Sequence, residues 1–458
     1  MVQRTSIDYS KNVDHAYEQF VLSNEKAIVD AIHRFEEKLH HSFVKFGRFT
    51  IPTFFKPHFI TAKQARLIHT VSDHLARMVD RIADLYLHDD PVLKDSFSLN
   101  PEAEELVRID PGYARVIALA RFDCTLEGES VKFMELNCDS PAGMGYTDTL
   151  EQLFFESGEL KEFFEEVHLQ REVRSQKLLE GLLSVYEEFG GYETPQIAIV
   201  DWKTVRTRPE FDILKSFFEN KGYKTTIADP RELRYKSGKL YHGNFRIDLL
   251  YRRVIFNELL EKIREVNDLV RAYRDRAVCI VNPLRSRLAS SKAILSVFTN
   301  PGYDHFFSAK ENEIKEHHVL WTRCMSDAEK FYGRKKIYFV DFLKDEKETL
   351  VLKPAEGYGG KEVTIGRETR DEEWNHTIDK AIKSNWVVQE FAAPPMMMVP
   401  TLVNHKIEFV AKRINTGCFV FNGIYAGSLS RLSDETVVNV SRGGGLVPTV
   451  TCESEINR

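Results

Sequence analysis

Apolar residues recur three and four positions apart over residues 13–42 and again over 61–87. That spacing lines them along one helix face, so both segments are predicted to be amphipathic helices. The pattern changes near Tyr113. Residues 114–123 and 131–137 are short runs rich in branched and aromatic side chains, with turn-like sequence at 127–130 between them, and a hairpin is the simplest expectation. Charged helical sequence then continues to about residue 189. Residues 196–201, 224–229 and 248–253 predict three strands, with a helix over 210–221 after the first, and this order predicts a small parallel α/β unit. Farther on, 350–354 and 386–391 predict buried strands. Residues 407–440 predict an antiparallel sheet with breaks at Gly417, Gly423 and Gly427.

Composition narrows the class without naming it. A chain of 458 residues exceeds one small core and implies two or three domains or subdomains. With 43% hydrophobic and 29% charged residues it reads as globular, not disordered. The net charge of -6 argues against a surface dominated by nucleic acid, while leaving room for a local basic pocket. No apolar run reaches the length of a membrane span, and the N-terminal sequence lacks the apolar core of a secretory signal. The 6 cysteines have no C-x-x-C spacing, which favours reduced thiols and a cytoplasmic location over disulfides or a zinc site. His40-His41 and His317-His318 lie in charged helical sequence and are read as solvated helix surface.

Candidate chemistry begins in the predicted hairpin. Side chains alternate faces along a strand, so Arg121 and Asp123 share one face, and Glu135 and Asn137 share one opposite Met134. A turn centred on Gly128 and Glu129 brings Asp123 and Glu135 nearly opposite each other. Two carboxylates so close repel unless a cation or proton lies between them, and oxygen donors of this kind suit magnesium. The alternative is a solvent-facing sheet edge with charges placed by chance. A second signal is Lys353, on a predicted buried strand just before a loop holding Gly357, Gly359 and Gly360. A buried lysine needs an anion, and glycine amides can wrap phosphate oxygens, although a plain surface turn has the same composition. The spacing is neither that of a Walker A loop nor of a dinucleotide loop. Chain leaving the strand at Gln389, Glu390 and Phe391 could meet an adenine edge.

In combination these segments resemble the circularly permuted ATP-grasp enzymes, the group holding eukaryotic glutathione synthetase and glutathionylspermidine synthase. The resemblance rests on R-x-D at Arg121 and Asp123, E-x-N at Glu135 and Asn137, and the lysine-glycine segment from Lys353 to Gly360. Segments around Lys292, Gln389 and Arg431 follow in the same order. It implies an α/β (α+β) ATP-grasp fold, circularly permuted, with an inserted pre-ATP-grasp-like domain. The regions would be an N-terminal helical region (1–110), a metal-ligand hairpin with helices (111–189), a small substrate domain (190–281) and a nucleotide-binding region (282–458).

The resemblance further implies that Asp123, Glu135 and Asn137 hold magnesium, and that Lys292 and Lys353 contact ATP phosphates under the loop at Gly357 to Gly360. Gln389, Glu390 and Phe391 would frame adenine, and Glu356 would add a contact to the metal. Arg431 would steady the transferring phosphoryl group and Arg121 would bind the substrate carboxylate. The expected activity is an ADP-producing ligase that joins a small-molecule carboxylate to an amine through an acyl phosphate. A ligase loading an amino acid onto a carrier protein and a non-catalytic nucleotide-binding scaffold are the competing readings. No papain-like amidase segment is visible, and the C-terminal sequence from Asn439 to Pro448 looks more like the uncharacterised or biosynthetic permuted ATP-grasp proteins, so glutathione and spermidine do not follow as substrates.

Overall fold

The structure is a computed structural model that describes residues 9–452 apart from 92, 94, 95, 98, 327–329, 358 and 361. Its first segment forms two helices, Tyr9–Ser23 and Glu25–His41, separated at Asn24. The third helix, Ala62–Leu87, opens on a capping box. Thr61 accepts the Gln64 amide, and the Gln64 side chain accepts the Thr61 amide at 2.8 Å. Ile68, Val71, Leu75, Met78, Val79 and Ile82 form its buried stripe, in one apolar core with Phe122, Phe133 and Val420. The long helix therefore backs the predicted hairpin.

That hairpin belongs to an eight-stranded sheet. Strand His58–Thr61 pairs parallel with Gly445–Cys452, followed by Ile424–Ser433, Lys406–Phe421, Leu119–Glu127 and Ser130–Asn137. Strand Met396–Val403 pairs with the first half of the long strand Lys406–Phe421. Asp123 does face Glu135 in the register, and Arg121 faces Asn137.

Three sequence expectations change here. The first hairpin strand begins at Leu119, not at 114. The amides of Val116 and Ile117 go to the Asp80 carboxylate, and those of Ala118 and Leu119 to the Asn282 side chain, so side chains replace ladder partners on the approach. Between Asp123 and Cys124 the register slips by one residue at a bulge, and Met134 lines the same cleft as Glu135 where strict alternation put them on opposite faces. Finally, Gly417 and Gly427 lie inside strands, and of the three glycines Gly423 alone makes a turn. A Cβ on Gly417 would sit 2.8 Å from Arg121 Cδ and 3.0 Å from Asp123 Oδ1. This glycine marks a close approach of backbone to the charged pair, not a break.

The small unit holds a four-stranded parallel sheet, ordered Cys279–Val281, Leu249–Arg252, Ile197–Val200, Thr225–Ala228. Helix Arg208–Asn220 connects the last two in the parallel manner. A three-stranded antiparallel sheet over 233–247 was not foreseen. A second antiparallel sheet joins Thr322–Cys324, Trp386–Glu390, Leu350–Pro354 and Thr364–Ile365. It stands across a cleft from the eight-stranded sheet.

Candidate active site

The cleft between the eight-stranded sheet and the four-stranded antiparallel sheet holds a cavity of about 140 Å³ and is lined by Asp123, Glu135, Lys292, Lys353 and Arg431. Lys292 and Lys353 are each only 8% exposed. Lys292 Nζ lies 2.8 Å from Glu135 Oε1 and donates to the Gly357 carbonyl at 2.6 Å. Lys353 Nζ donates to Gln389 Oε1 at 2.7 Å, and burial brings its pKa down to about 8, with Glu135 partly opposing.

Asp123 is the most heavily contacted carboxylate in the cleft. Arg121 Nε and an Arg431 guanidinium nitrogen each lie 2.9 Å from its Oδ1, and Asn137 Nδ2 donates to its Oδ2 at 2.9 Å. Burial works to raise its pKa, but the two guanidiniums prevail and hold it at about 2. Burial likewise works against Glu135, whose carboxyl is nevertheless held below its ordinary range by Lys292. The repulsion expected across the hairpin is thus relieved by cations from three separate segments. Arg431 also bonds Asn415 Oδ1, while its Nε is buried without a partner.

The remaining residues singled out from the sequence divide between this cleft and a second one of about 230 Å³. Gly360, Gln389, Glu390 and Phe391 line the first; Arg121, Asn137, Glu356 and Gly359 line the second; Glu135, Lys292 and Gly357 line both. The junction of two chambers is therefore the acid-lysine pair. Gln389 is engaged at both ends, by Lys353 and by Thr322 Oγ1 at 2.8 Å. The amides of Glu390 and Phe391 are donated to Trp321 and Thr349 carbonyls. Glu356 turns away from the hairpin acids to bond Arg287, Asn257 and Asn385. Gly359 and Gly360 take φ of +72° and +71°, conformations that favour glycine. Tyr358 and Lys361, in the same loop, lie outside the described residues.

Comparison with known proteins adds the family. The sequence pattern of the glutathionylspermidine synthase preATP-grasp family matches residues 56–439. The chain belongs to that family. Its fold resembles that of a glutathione synthetase-like effector from Globodera pallida, with a TM-score of 0.64 at 12% identity, covering 93% of this chain and 97% of the other. A putative gamma-glutamylcysteine synthetase from Methylobacillus flagellatus KT overlaps more loosely, with a TM-score of 0.44 at 11% identity over 87% of this chain and 90% of that one. Among curated proteins, a putative glutamate–cysteine ligase 2-2 from Frankia casuarinae is 24% identical over 213 residues, which span 44% of this chain and 23% of that protein. The chain thus spans about a quarter of the length of the curated relative it matches. This member of the glutathionylspermidine synthase preATP-grasp family has a mixed α/β, ATP-grasp-related fold.

The hairpin of this family member suits a hard cation. Asp123 and Glu135 offer carboxylate oxygens and Asn137 an amide oxygen, on neighbouring positions beside the cleft. Among the described residues no group of three or more Asp, Glu, His or Cys gathers. Magnesium takes one or two carboxylates and completes its shell with water and phosphate oxygens, and Asp123 with Glu135 would supply two carboxylates.

Three contributors were invisible in the sequence. Asn282 Oδ1 accepts two amides ahead of the first hairpin strand, and its Nδ2 donates to Leu119, Cys138 and Asp139 carbonyls. Arg287 carries Glu356, and Glu210 accepts the Gly143 and Gly145 amides at the end of the second chamber's loop. Each lies far along the chain from what it holds, and no local pattern announces it. Among the described residues no helix is long and apolar enough to cross a membrane.

Proposed function

We propose that this chain is an ATP- and magnesium-dependent ligase that joins a carboxylate to an amine through an acyl phosphate, releasing ADP and phosphate. The observation that carries the reading is the placement of Glu135 and Lys292 where two chambers meet, with Asp123 and Lys353 beside them in the first. The first chamber has the apolar walls, buried lysines and glycine loop a nucleotide needs, and the second supplies Arg121 and Arg287 for an acid.

Lys353 and Lys292 would neutralise the β- and γ-phosphates, releasing Gln389 and Glu135 from their resting contacts. Asp123, Glu135 and Asn137 would hold magnesium, which would supply positive charge to offset the charge of the phosphates. Arg121 would orient the substrate carboxylate, one oxygen of which attacks the γ-phosphorus while ADP departs. Arg431, with its Nε free of partners, would stabilise the transferring group. The amine nitrogen then attacks the acyl carbon, phosphate leaves, and an amide remains once the nitrogen loses its proton.

The test is product analysis over a panel of carboxylates, with and without amines. ADP and phosphate should form in step with amide, and hydroxylamine should divert the intermediate to a hydroxamate. AMP and pyrophosphate as products would refute the acyl-phosphate route.

A further inference from the structure

The connection over residues 434–444, between strands Ile424–Ser433 and Gly445–Cys452, crosses the first chamber from the eight-stranded sheet to the glycine loop. It is rooted on its own sheet, where Lys412 Nζ meets Asp434 Oδ1 at 2.7 Å. Its shape is built in. The Asn439 side chain accepts the Ser441 amide at 2.8 Å, and the Gly444 amide returns to the Asn439 carbonyl at 3.0 Å. Gly443 takes φ of +90°, which favours glycine there.

At the far side the connection touches the loop itself. Ser441 Oγ donates to the Gly359 carbonyl and Arg442 Nη1 to the Gly360 carbonyl, each at 3.2 Å. Arg442 is also held by Glu435, 3.0 Å from its Nε. Thr436 Oγ1 reaches Glu368 at 2.5 Å, beyond the loop. A Cβ on Gly360 would lie 2.6 Å from Val437 Cγ1, so the two segments are in tight apolar contact. Val437 and Val438 line the chamber.

We propose that this strap is part of the nucleotide site: Val437 and Val438 form an apolar wall for the base, and Ser441 and Arg442 are positioning residues that hold the glycine loop. The Gly359 carbonyl shares its peptide plane with the Gly360 amide, so holding that carbonyl on Ser441 fixes the direction of an amide that can serve phosphate. The inference rests on the ATP reading of the first chamber.

The test is MgATP titration of the full chain, by calorimetry and by thermal melting with and without nucleotide. Arg442→Ala should weaken MgATP about tenfold, the scale of one charge-assisted hydrogen bond, and leave nucleotide-free melting unchanged. Arg442→Lys should recover part of that loss, because an ammonium can reach Gly360 but cannot span Glu435 at the same time. A second pair guards against misfolding. Gly360→Ala should weaken MgATP by clashing with Val437, and adding Val437→Ala should restore part of the affinity, a non-additivity that only contact produces. Unchanged affinity in Arg442→Ala, or strict additivity in the pair, overturns the strap while wild-type binding upholds the ATP site. Absence of MgATP binding to the wild type removes the ATP site and the strap together.

Discussion

Glu135 is the residue on which the most chemistry converges, because it faces Asp123, carries Lys292 and borders both chambers. Glu135→Gln keeps the shape and removes the charge that would attract a divalent cation. Magnesium-dependent ADP release should fall by at least about a hundredfold, the upper end of what perturbing a metal's surroundings costs, with melting in the absence of nucleotide little changed. Wild-type turnover in this variant would return Glu135 to an ordinary sheet-edge acid. Gly417 tests the same spot from the opposite strand. Gly417→Ala drives a methyl into Arg121 and Asp123, so the variant should lose roughly 1–3 kcal/mol of stability by overpacking and lose turnover with it. Denaturant melts beside ADP assays check both halves, and a fully active, fully stable variant would show that the pair has slack.

At the scale of elements, periodicity located the helices because each buries one long stripe, as the third helix does from Ile68 to Ile82. The hairpin and the near approach of Asp123 to Glu135 were equally legible, but the turn alone sets Asp123 against Met134, and the bulge brings Glu135 fully opposite. Period-two reasoning failed where strands carry local exceptions: the bulge that turns Met134 toward the cleft, and the glycines that let Lys406–Phe421 and Ile424–Ser433 run unbroken past charged neighbours. Partners such as Asn282, Arg287 and Glu210 escaped because their contacts span long sequence separations. The strand pair Leu350–Pro354 and Trp386–Glu390 yields a prediction of its own. Gln389, buried between Lys353 and Thr322, holds a largely buried cation and a fully buried hydroxyl. Gln389→Leu should cost about 1–3 kcal/mol through unpaired polar groups, and MgATP should recover part of that loss by giving Lys353 an anion. Equal loss with and without MgATP would mean that Lys353 does not reach the nucleotide.

On the scale of the whole molecule, early and late segments close one sheet, and a buried ion cluster fastens the helices beneath it. Arg174 donates to the Ser428 carbonyl at 3.1 Å and the Thr449 carbonyl at 3.3 Å, and its Nη1 lies 2.6 Å from Glu151 Oε1. Burial nevertheless raises the Glu151 pKa from 4.5 to about 7, outweighing the attraction of Arg174, with Asp148 adding like charge. The sign follows from proton counting. Between 4.5 and about 7 the native chain holds a proton on Glu151 that the unfolded chain has released, so this group's contribution is full below 4.5 and is lost as pH rises through 7. Other buried groups titrate nearby in either direction, His58 being lowered by burial to about 4, so the wild-type profile alone does not isolate Glu151. The difference between wild type and Glu151→Gln does. Glutamine matches the neutral acid in size and does not ionise, so the variant's stability relative to wild type should improve from pH 5 to pH 8 by about 2–3 kcal/mol. Denaturant melts of both proteins at the two pH values measure that difference. A relative stability that stays flat would mean that Glu151 is ionised throughout and that Arg174 fastens the seam as a full ion pair.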